Sequence, residues 1–542
     1  MGREKDMERY FCLSRTQIMW LLLLLAVAIL LPSIGFIDFN TKGEPREVAV
    51  VHAMISTGNY VLPVDNAGDI AYKPPMFHWM IAGFAWLFGS LSEFVCRLPS
   101  ALALIATTLI TFLFFSNKRN NDQRAAILIA LFTLTSFECF RAGTNCRVDM
   151  VLTAFMLGGM TILPKALEEK GWKSFGCYLV AVVCMSGATL TKGPVGIILP
   201  LGVWWLYSLL RGYGFIRVTL LSILLAVISL VLPAVYYLAA WHEGGDRFLS
   251  LAYEENFGRM LGQMSYGSHE NAWWYNFVSL IIGWLPWTVG VIAASIWIWV
   301  RKKRFFTDKN SVKKWGRKPF KEMSEEECFS IVAILFILVF YTIPESKRSV
   351  YLLPMYPFIA YWIVRFVEWL ASRAKVTGTI VRWAMIVVCT LYPIIYGVVL
   401  PAVINGKSDR QIAEHLKEKV PSNEVIYTFI PDRFMRYYIT DHYLGYRMRP
   451  LLPSGQTLPH EGRPDANDIV TPSDSAFYLA VNQDVWEGKK MPLSAKFEKK
   501  TDYGLHAWLK ANGLSVEELY VSDHKTHDLK SPLVLLKVYR KN

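Results

Sequence analysis

The segment "RKKRFFTDKNSVKKWGRKPFK", Arg301–Lys321, gathers ten lysines and arginines between two apolar runs. On a soluble protein such a block would suggest a polyanionic partner such as nucleic acid. Its flanks decide otherwise. Apolar blocks of about twenty residues, enough to cross a bilayer, recur along the chain, and a basic loop between two spans marks the cytoplasmic side. Of 542 residues, 53% are hydrophobic and 14% aromatic, with 57 Lys+Arg against 44 Asp+Glu and a mean hydropathy of +0.29. The excess positive charge is read as membrane orientation. No nucleic acid is expected as a partner, membrane lipids are, and the fold class is a polytopic α-helical membrane protein.

The first block, 18–37, follows Arg3, Lys5, Arg9 and Arg15. It is long for a signal peptide and lacks a small-x-small cleavage site, so it reads as a retained helix. With the N-terminus and Arg301–Lys321 inside, spans are expected near 17–37, 97–116, 124–141, 149–166, 175–191, 194–210, 217–240, 277–300, 327–343, 349–370 and 378–402. That makes eleven crossings or more, with every basic loop inside. The scheme requires Met76–Leu91 not to cross but to lie at, or dip into, the outer surface. Loops 38–96 and 241–276 then face outward. The expected domains are 1–402, in the membrane, and 403–542. The second is polar, with helix-like "DRQIAEHLKEKV" and strand-like "EVIYTFI", "AFYLAVN" and "PLVLLKVYR", so it reads as a soluble α/β domain on the outer side. The eight cysteines all precede residue 400 and none has metal-site spacing.

The charged residues of interest fall on the outer side. In "GEPREV", Glu44 reads as a helix cap with Pro45 at the first helical position, and Arg46 and Glu47 as a solvated face or more. Asp149 heads a span, where an acid is costly enough to be a functional candidate; Arg147 sits two residues before it. Lys73, stiffened by Pro74 and Pro75, is placed to snorkel or to meet a lipid phosphate. Lys192 in "TKGP", and Lys347 and Arg348 in "PESKR", put cations in outer turns, which the positive-inside rule disfavours. An anionic partner such as a lipid-linked phosphate would explain them. The loop 241–276 adds Arg259 and His269.

Eight segments in this order resemble the membrane glycosyltransferases of the GT-C fold: "GEPREVAVVHAMISTGNYVLP", "YKPPMFHWM", "RLPSAL", "RVDMVL", "TKGP", "FGRMLG", "HENAWWYNF…GWLPW" and "SKRSVYLLPMYP". The branch most alike contains the bacterial 4-amino-4-deoxy-L-arabinose transferases of lipid A; protein O-mannosyltransferases are more distant. The likeness covers roughly residues 17–370. It implies a polyprenyl-phosphate-linked sugar as donor and an acceptor that is lipid A, a glycan or a protein, at the outer face of a bacterial inner membrane. By similarity Lys73 contacts the donor phosphate, Asp149 is the acid at a helix head, and Arg46 is the arginine of the family's Asp-Glu-x-Arg-Tyr segment. Lys347 and Arg348 lie in the donor-phosphate turn, and His269 matches a histidine near a family metal site. The chain departs from the pattern at Gly43, where the family has its first acid, at Glu47 in place of a tyrosine, and at Tyr72 in place of a glutamate. Asp69 is the substitute ligand if a divalent metal binds; no cofactor is otherwise expected.

Glycosyl transfer needs a carboxylate to take the acceptor's proton and cations for the charge growing on the departing phosphate. Glu44 or Asp149 is the candidate base. Arg46, Lys73, Arg259, Lys347 and Arg348 form the candidate phosphate cradle. A single displacement would invert the anomeric centre. The competing readings are a transporter, which would carry ionisable residues near the midplane, and a non-catalytic lipid-binding membrane protein.

Overall fold

A computed structural model describes residues 13–65, 68–71, 73–117, 123–258, 270–300, 320, 323–374, 376–429, 436–451, 472, 474–489, 491–492, 500–501 and 504–540. Arg259, His269 and nearly all of the basic loop 301–321 lie outside them.

The membrane part opens with α1 (Arg15–Ile34), whose N-cap Ser14 forms a capping box with Gln17. A short helix, α2 (Gly43–Thr57), follows, then α3 (Met76–Phe88) and α4 (Glu93–Asn117). The next helices are α5 (Gln123–Thr135), α6 (Phe137–Gly143), α7 (Val148–Glu168), α8 (Gly171–Lys192), α9 (Val195–Leu210) and α10 (Phe215–Tyr253). After them come α11 (Tyr275–Gly283), α12 (Trp287–Val300), α13 (Glu325–Thr342), a 3₁₀ segment Ser349–Met355, α14 (Tyr356–Ala371) and α15 (Val376–Ile394), which runs on through a π turn into α16 (Leu400–Ile404).

Among the described residues seven helices are long and apolar enough to span a bilayer, and up to nine spans result if each of two bent pairs is one. Eleven crossings were expected. The difference lies in α9, only 16 residues long, and in α13, whose first turn holds Glu325, Glu326 and Glu327. Removing those acids leaves an uncharged stretch of about 22 Å at 1.5 Å per residue, short of the roughly 30 Å hydrocarbon core. The expectation for 76–91 agrees in length: α3 has 13 residues, capped by Pro75. The segment 241–276 begins not as a loop but as a continuation of α10, broken only at Gly245.

The bent pairs are α5–α6, at 64°, and α11–α12, at 96°. Their breaks meet: the Phe137 N–H donates to the Leu285 carbonyl at 2.9 Å. A backbone group released by one break is thus paired by the other, as a low-dielectric interior demands. Helices α7 and α8 form a tight hairpin in which a Cβ on Gly187 would lie 2.8 Å from the Phe155 ring.

The C-terminal part is α/β, as expected. Its elements are α17 (Asp409–Lys419), β1 (Ile426–Thr428), α18 (Tyr438–Tyr443), β2 (Met448–Pro450), β3 (Ala476–Asn482), α19 (Gln483–Trp486), β4 (Met491–Pro492), β5 (Lys500–Thr501), α20 (Leu505–Ala511), β6 (Leu514–Val521) and β7 (Leu533–Arg540). The main sheet has the order β2-β1-β3-β7-β6, parallel at β2-β1-β3 and antiparallel at β3-β7-β6. Strand β7 is buried on both faces: Leu533 and Leu535 join the core that includes Ile412 and Ile439, while Val534, Leu536 and Val538 meet Leu505 and Trp508. That explains its unbroken apolar run. Arg410 binds Asp38 (2.9 Å) and Glu93 (2.5 Å), and the Tyr443 hydroxyl donates to Glu93 (2.6 Å). These bonds join the α/β part to the segment after α1 and the start of α4.

Candidate functional site

Helix α2 carries Glu44 and Glu47 at i and i+3, so one face bears both acids. Its N-cap is Lys42, not Glu44, which lies in the first turn. Glu44 is fully buried. Arg97 of α4 donates to both its oxygens, from Nε at 2.8 Å and Nη2 at 3.1 Å. The Cys146 N–H adds a third bond at 2.8 Å, and Arg97 Nη1 reaches the carbonyls of Ile34 and Ile37. A buried ion pair this fully hydrogen-bonded ties the end of α1, α2, α4 and the turn before α7 together. Glu44 thus sits in a buried, three-bonded ion pair, an arrangement that favours a structural role over the expected one as base.

Glu47 is not a solvated face either. It is buried and bonds the Lys73 ammonium, His78 Nε2 at 2.9 Å and, more loosely, Arg46 at 3.6 Å. Burial alone would raise its pKa. Lys73, the His78 hydrogen bond and Arg46 outweigh burial and hold the carboxyl well below the usual range. Lys73 reaches Glu47 because Pro74 and Pro75 end the loop and Met76 begins α3, one turn ahead of His78.

Asp149, buried at the head of α7, accepts from Lys192 Nζ at 2.5 Å. Among the described residues its second oxygen, Oδ2, has no hydrogen-bond partner. Among the described residues the neighbouring Arg147 makes no direct ion pair with it, though the two charges act on each other; Arg147 lies over Gly43, where a Cβ would come 2.7 Å from its Nη2. Arg348 feels both Asp149 and Arg147. Lys192 ends α8 and sits 4.3 Å from the Tyr351 ring centroid. The following Gly193 has φ +89°, and a Cβ there would fall 1.9 Å from Asn256 Oδ1, so this turn requires glycine. As expected, Gly193 caps α8; Pro194 is the N-cap of α9.

Lys73 and Lys192 line one cavity of about 120 Å³. The rest of its wall is largely apolar, including Val195, Ile198, Phe257, Phe340 and Tyr351. Two ammonium groups at an apolar slot suit an amphiphile with an anionic head.

Two expected site residues are otherwise engaged. Lys347 is buried and its ammonium donates to the carbonyls of Pro344 (2.6 Å) and Asn271 (3.1 Å). It pins the 344–348 turn to residues 270–271, where Glu270 also bridges Ser346, so in this structure it acts as a turn anchor. Asp69 binds Arg436 at 2.8 Å, beside Asp65 on the same guanidinium at 3.1 Å. A resident guanidinium repels a metal ion, and among the described residues no three His, Cys, Asp or Glu side chains gather into a metal site. In this structure Asp69 is an ion-pair partner of Arg436. Arg259 and His269 fall outside the described residues. The residues missed are His78 and Arg97, with Glu47 read mainly as a solvated face; the sequence singles out Lys192 as an outer-turn cation but does not place it in the phosphate cradle.

Residues 72–238 match the family model "Dolichyl-phosphate-mannose-protein mannosyltransferase". An uncharacterized protein of Aquifex aeolicus is 24% identical over 374 residues, 68% of each chain. The undecaprenyl phosphate-alpha-4-amino-4-deoxy-L-arabinose arabinosyl transferase of Shewanella sediminis is 28% identical over 48% of this chain and 46% of its own. That of Pectobacterium atrosepticum is 24% identical over 61% and 56%. The chain thus spans about half the length of these named relatives. The crystal structure of ArnT from Cupriavidus metallidurans bound to undecaprenyl phosphate superposes with a TM-score of 0.69 at 17% identity, covering 96% of this chain and 98% of that one. The Archaeoglobus fulgidus oligosaccharyltransferase in complex with Zn and sulfate gives 0.51 at 11% identity, over 94% and 79%. The fold is that of the ArnT crystal structure across nearly the whole chain, while the family match lies in residues 72–238, inside the stretch that carries the sequence motifs.

Proposed function

We propose that this GT-C-fold membrane protein is an inverting glycosyltransferase. It moves a sugar from a polyprenyl-phosphate donor to a lipid A, glycan or protein acceptor at the outer face of a bacterial inner membrane, with the α/β domain on that side. The observation that carries the reading is the cavity where Lys73 and Lys192 face an apolar wall. Its chemistry fits a phosphate on a long isoprenoid chain, and the similarity to proteins named for undecaprenyl phosphate supports it.

In the proposed step the donor phosphate rests against Lys73 and Lys192, with Arg46 and Arg348 nearby. Asp149 Oδ2 takes the proton of the acceptor as its oxygen attacks the anomeric carbon. The bond from that carbon to the phosphate oxygen breaks, and the electron pair leaves with the lipid phosphate. The two ammoniums stabilise that charge more in the transition state than in the bound donor, which is what accelerates a reaction. Glu47 positions Lys73, and Glu44 with Arg97 fixes the helix that carries Glu47.

The test uses the full chain in liposomes with a polyprenyl-phosphate sugar, following release of free polyprenyl phosphate and acceptor mass. Loss of release in Asp149→Asn with donor binding retained supports the reading. Donor binding without release in the wild type, across lipid A, glycan and peptide acceptors, would favour a lipid-binding protein instead.

A further inference from the structure

The end of the α7–α8 hairpin remote from Asp149 and Lys192 carries a second cavity, of about 420 Å³. Its wall includes Glu169 in the hairpin turn, Tyr178 of α8, and Arg217, Leu220, Leu221 and Leu224 of α10. Helix α7 has 21 residues, about 30 Å at 1.5 Å per residue, so the two cavities stand roughly one hydrocarbon core apart. Nearby in sequence Trp172 is 85% exposed, and Phe215 and Ile216 are exposed too. Such residues belong at the headgroup layer of a bilayer.

Arg217 and Glu169 both line the cavity, yet neither forms an ion pair with a described residue. Arg217 is exposed and Glu169 half-exposed, so a single zwitterionic headgroup seated in the cavity can reach both. We propose that the cavity binds the headgroup of a phospholipid with a primary ammonium, a phosphatidylethanolamine. The phosphate rests on Arg217 with the Tyr178 hydroxyl donating to it, the ammonium donates to Glu169, and an acyl chain runs along Leu220, Leu221 and Leu224. An anionic phosphatidylglycerol would answer Arg217 but leave Glu169 facing more negative charge. A choline headgroup carries the right charges but has no N–H for the carboxylate.

The test is native mass spectrometry of the full-length protein titrated with phosphatidylethanolamine, phosphatidylcholine and phosphatidylglycerol of identical acyl chains. The wild type retains phosphatidylethanolamine best. Arg217→Gln and Glu169→Gln each weaken that retention by about tenfold, the scale of one charge-assisted hydrogen bond, and Glu169→Gln erases the preference over phosphatidylglycerol. Glu169 lies in the hairpin turn, so its variant keeps the proposal testable should Arg217→Gln not fold; thermal unfolding checks both. Equal retention of the three lipids by the wild type, a preference for phosphatidylglycerol, or unchanged retention in the variants would overturn it.

Discussion

Arg147 fills the space over Gly43: a Cβ on residue 43 would lie 2.7 Å from its guanidinium. The position at which the resembling family has an acid is thus occupied in space by an arginine from the head of another helix. Because the obstacle is the far end of a flexible side chain, Gly43→Asp is expected to fold, its carboxylate pairing with Arg147. Turnover should not rise if, as proposed, Asp149 is the base. A rise of tenfold or more in donor turnover would instead assign the base to position 43.

Asp149 and Lys192 should separate in kinetics. Asp149→Asn keeps the hydrogen bond from Lys192 but removes the base, so kcat should fall at least about a hundredfold with donor affinity nearly kept. Lys192→Met should weaken donor binding by about tenfold or more, and Lys192→Arg should recover part of it. Binding of polyprenyl phosphate and single-turnover rates distinguish the two.

Glu44 should behave as a structural residue. Glu44→Gln leaves Arg97 buried without a counter-charge, at a cost of about 3–5 kcal/mol. The expected result is lost protein abundance and a lowered unfolding temperature. The double change Glu44→Gln, Arg97→Met should restore much of that stability. Glu44→Gln at normal abundance with abolished turnover would contradict this.

Glu47 is held ionised by Lys73, His78 and Arg46 against burial. Its depressed pKa means the stability of this cluster is present above the ordinary carboxylate pKa and is lost only as pH falls through the lowered value. Across the neutral range the Glu47 carboxyl should stay ionised. Glu47→Gln should free Lys73 and raise KM for the donor several-fold more than it lowers kcat, as read in initial-rate assays.

Asp441 lies in the α/β domain and titrates the other way. Burial pushes its carboxyl up to about 7, with the Met448 N–H and Arg449 opposing. The folded state then holds a proton that the unfolded state has released, and stability falls as pH rises from the ordinary aspartate value through about 7. Asp441→Asn keeps an acceptor for the Met448 N–H. It should raise the unfolding temperature near about pH 8 and leave it almost unchanged near about pH 4.

The membrane class and most elements were legible because apolar blocks and alternating strands are local signals. "AFYLAVN" and "PLVLLKVYR" became β3 and β7. Strand β6 escaped because it is an edge strand, mostly unburied, with a register shift between Glu518 and Tyr520, so its sequence is polar and irregular. The described helices give fewer spans than expected where helix length and terminal acids, rather than apolarity alone, are weighed. In the site, the right segments were visible but not the pairings. Glu47 looked solvated because its partners Lys73 and His78 lie 26 and 31 residues away. Glu44 looked free because Arg97 is 53 residues on. One-dimensional spacing carries no record of which long-range cation folds back onto which acid.

The α7–α8 hairpin has a consequence for the lipid environment. The Asp149–Lys192 pair closes one end and the cavity of Glu169 and Arg217 opens at the other, with close interhelical packing between them. A stiff element gripped at both ends works as a caliper. In a bilayer too thin or too thick for it, the hairpin must tilt and carry Lys192 away from Lys73, so acyl-chain length becomes a control on how well the two ammoniums converge.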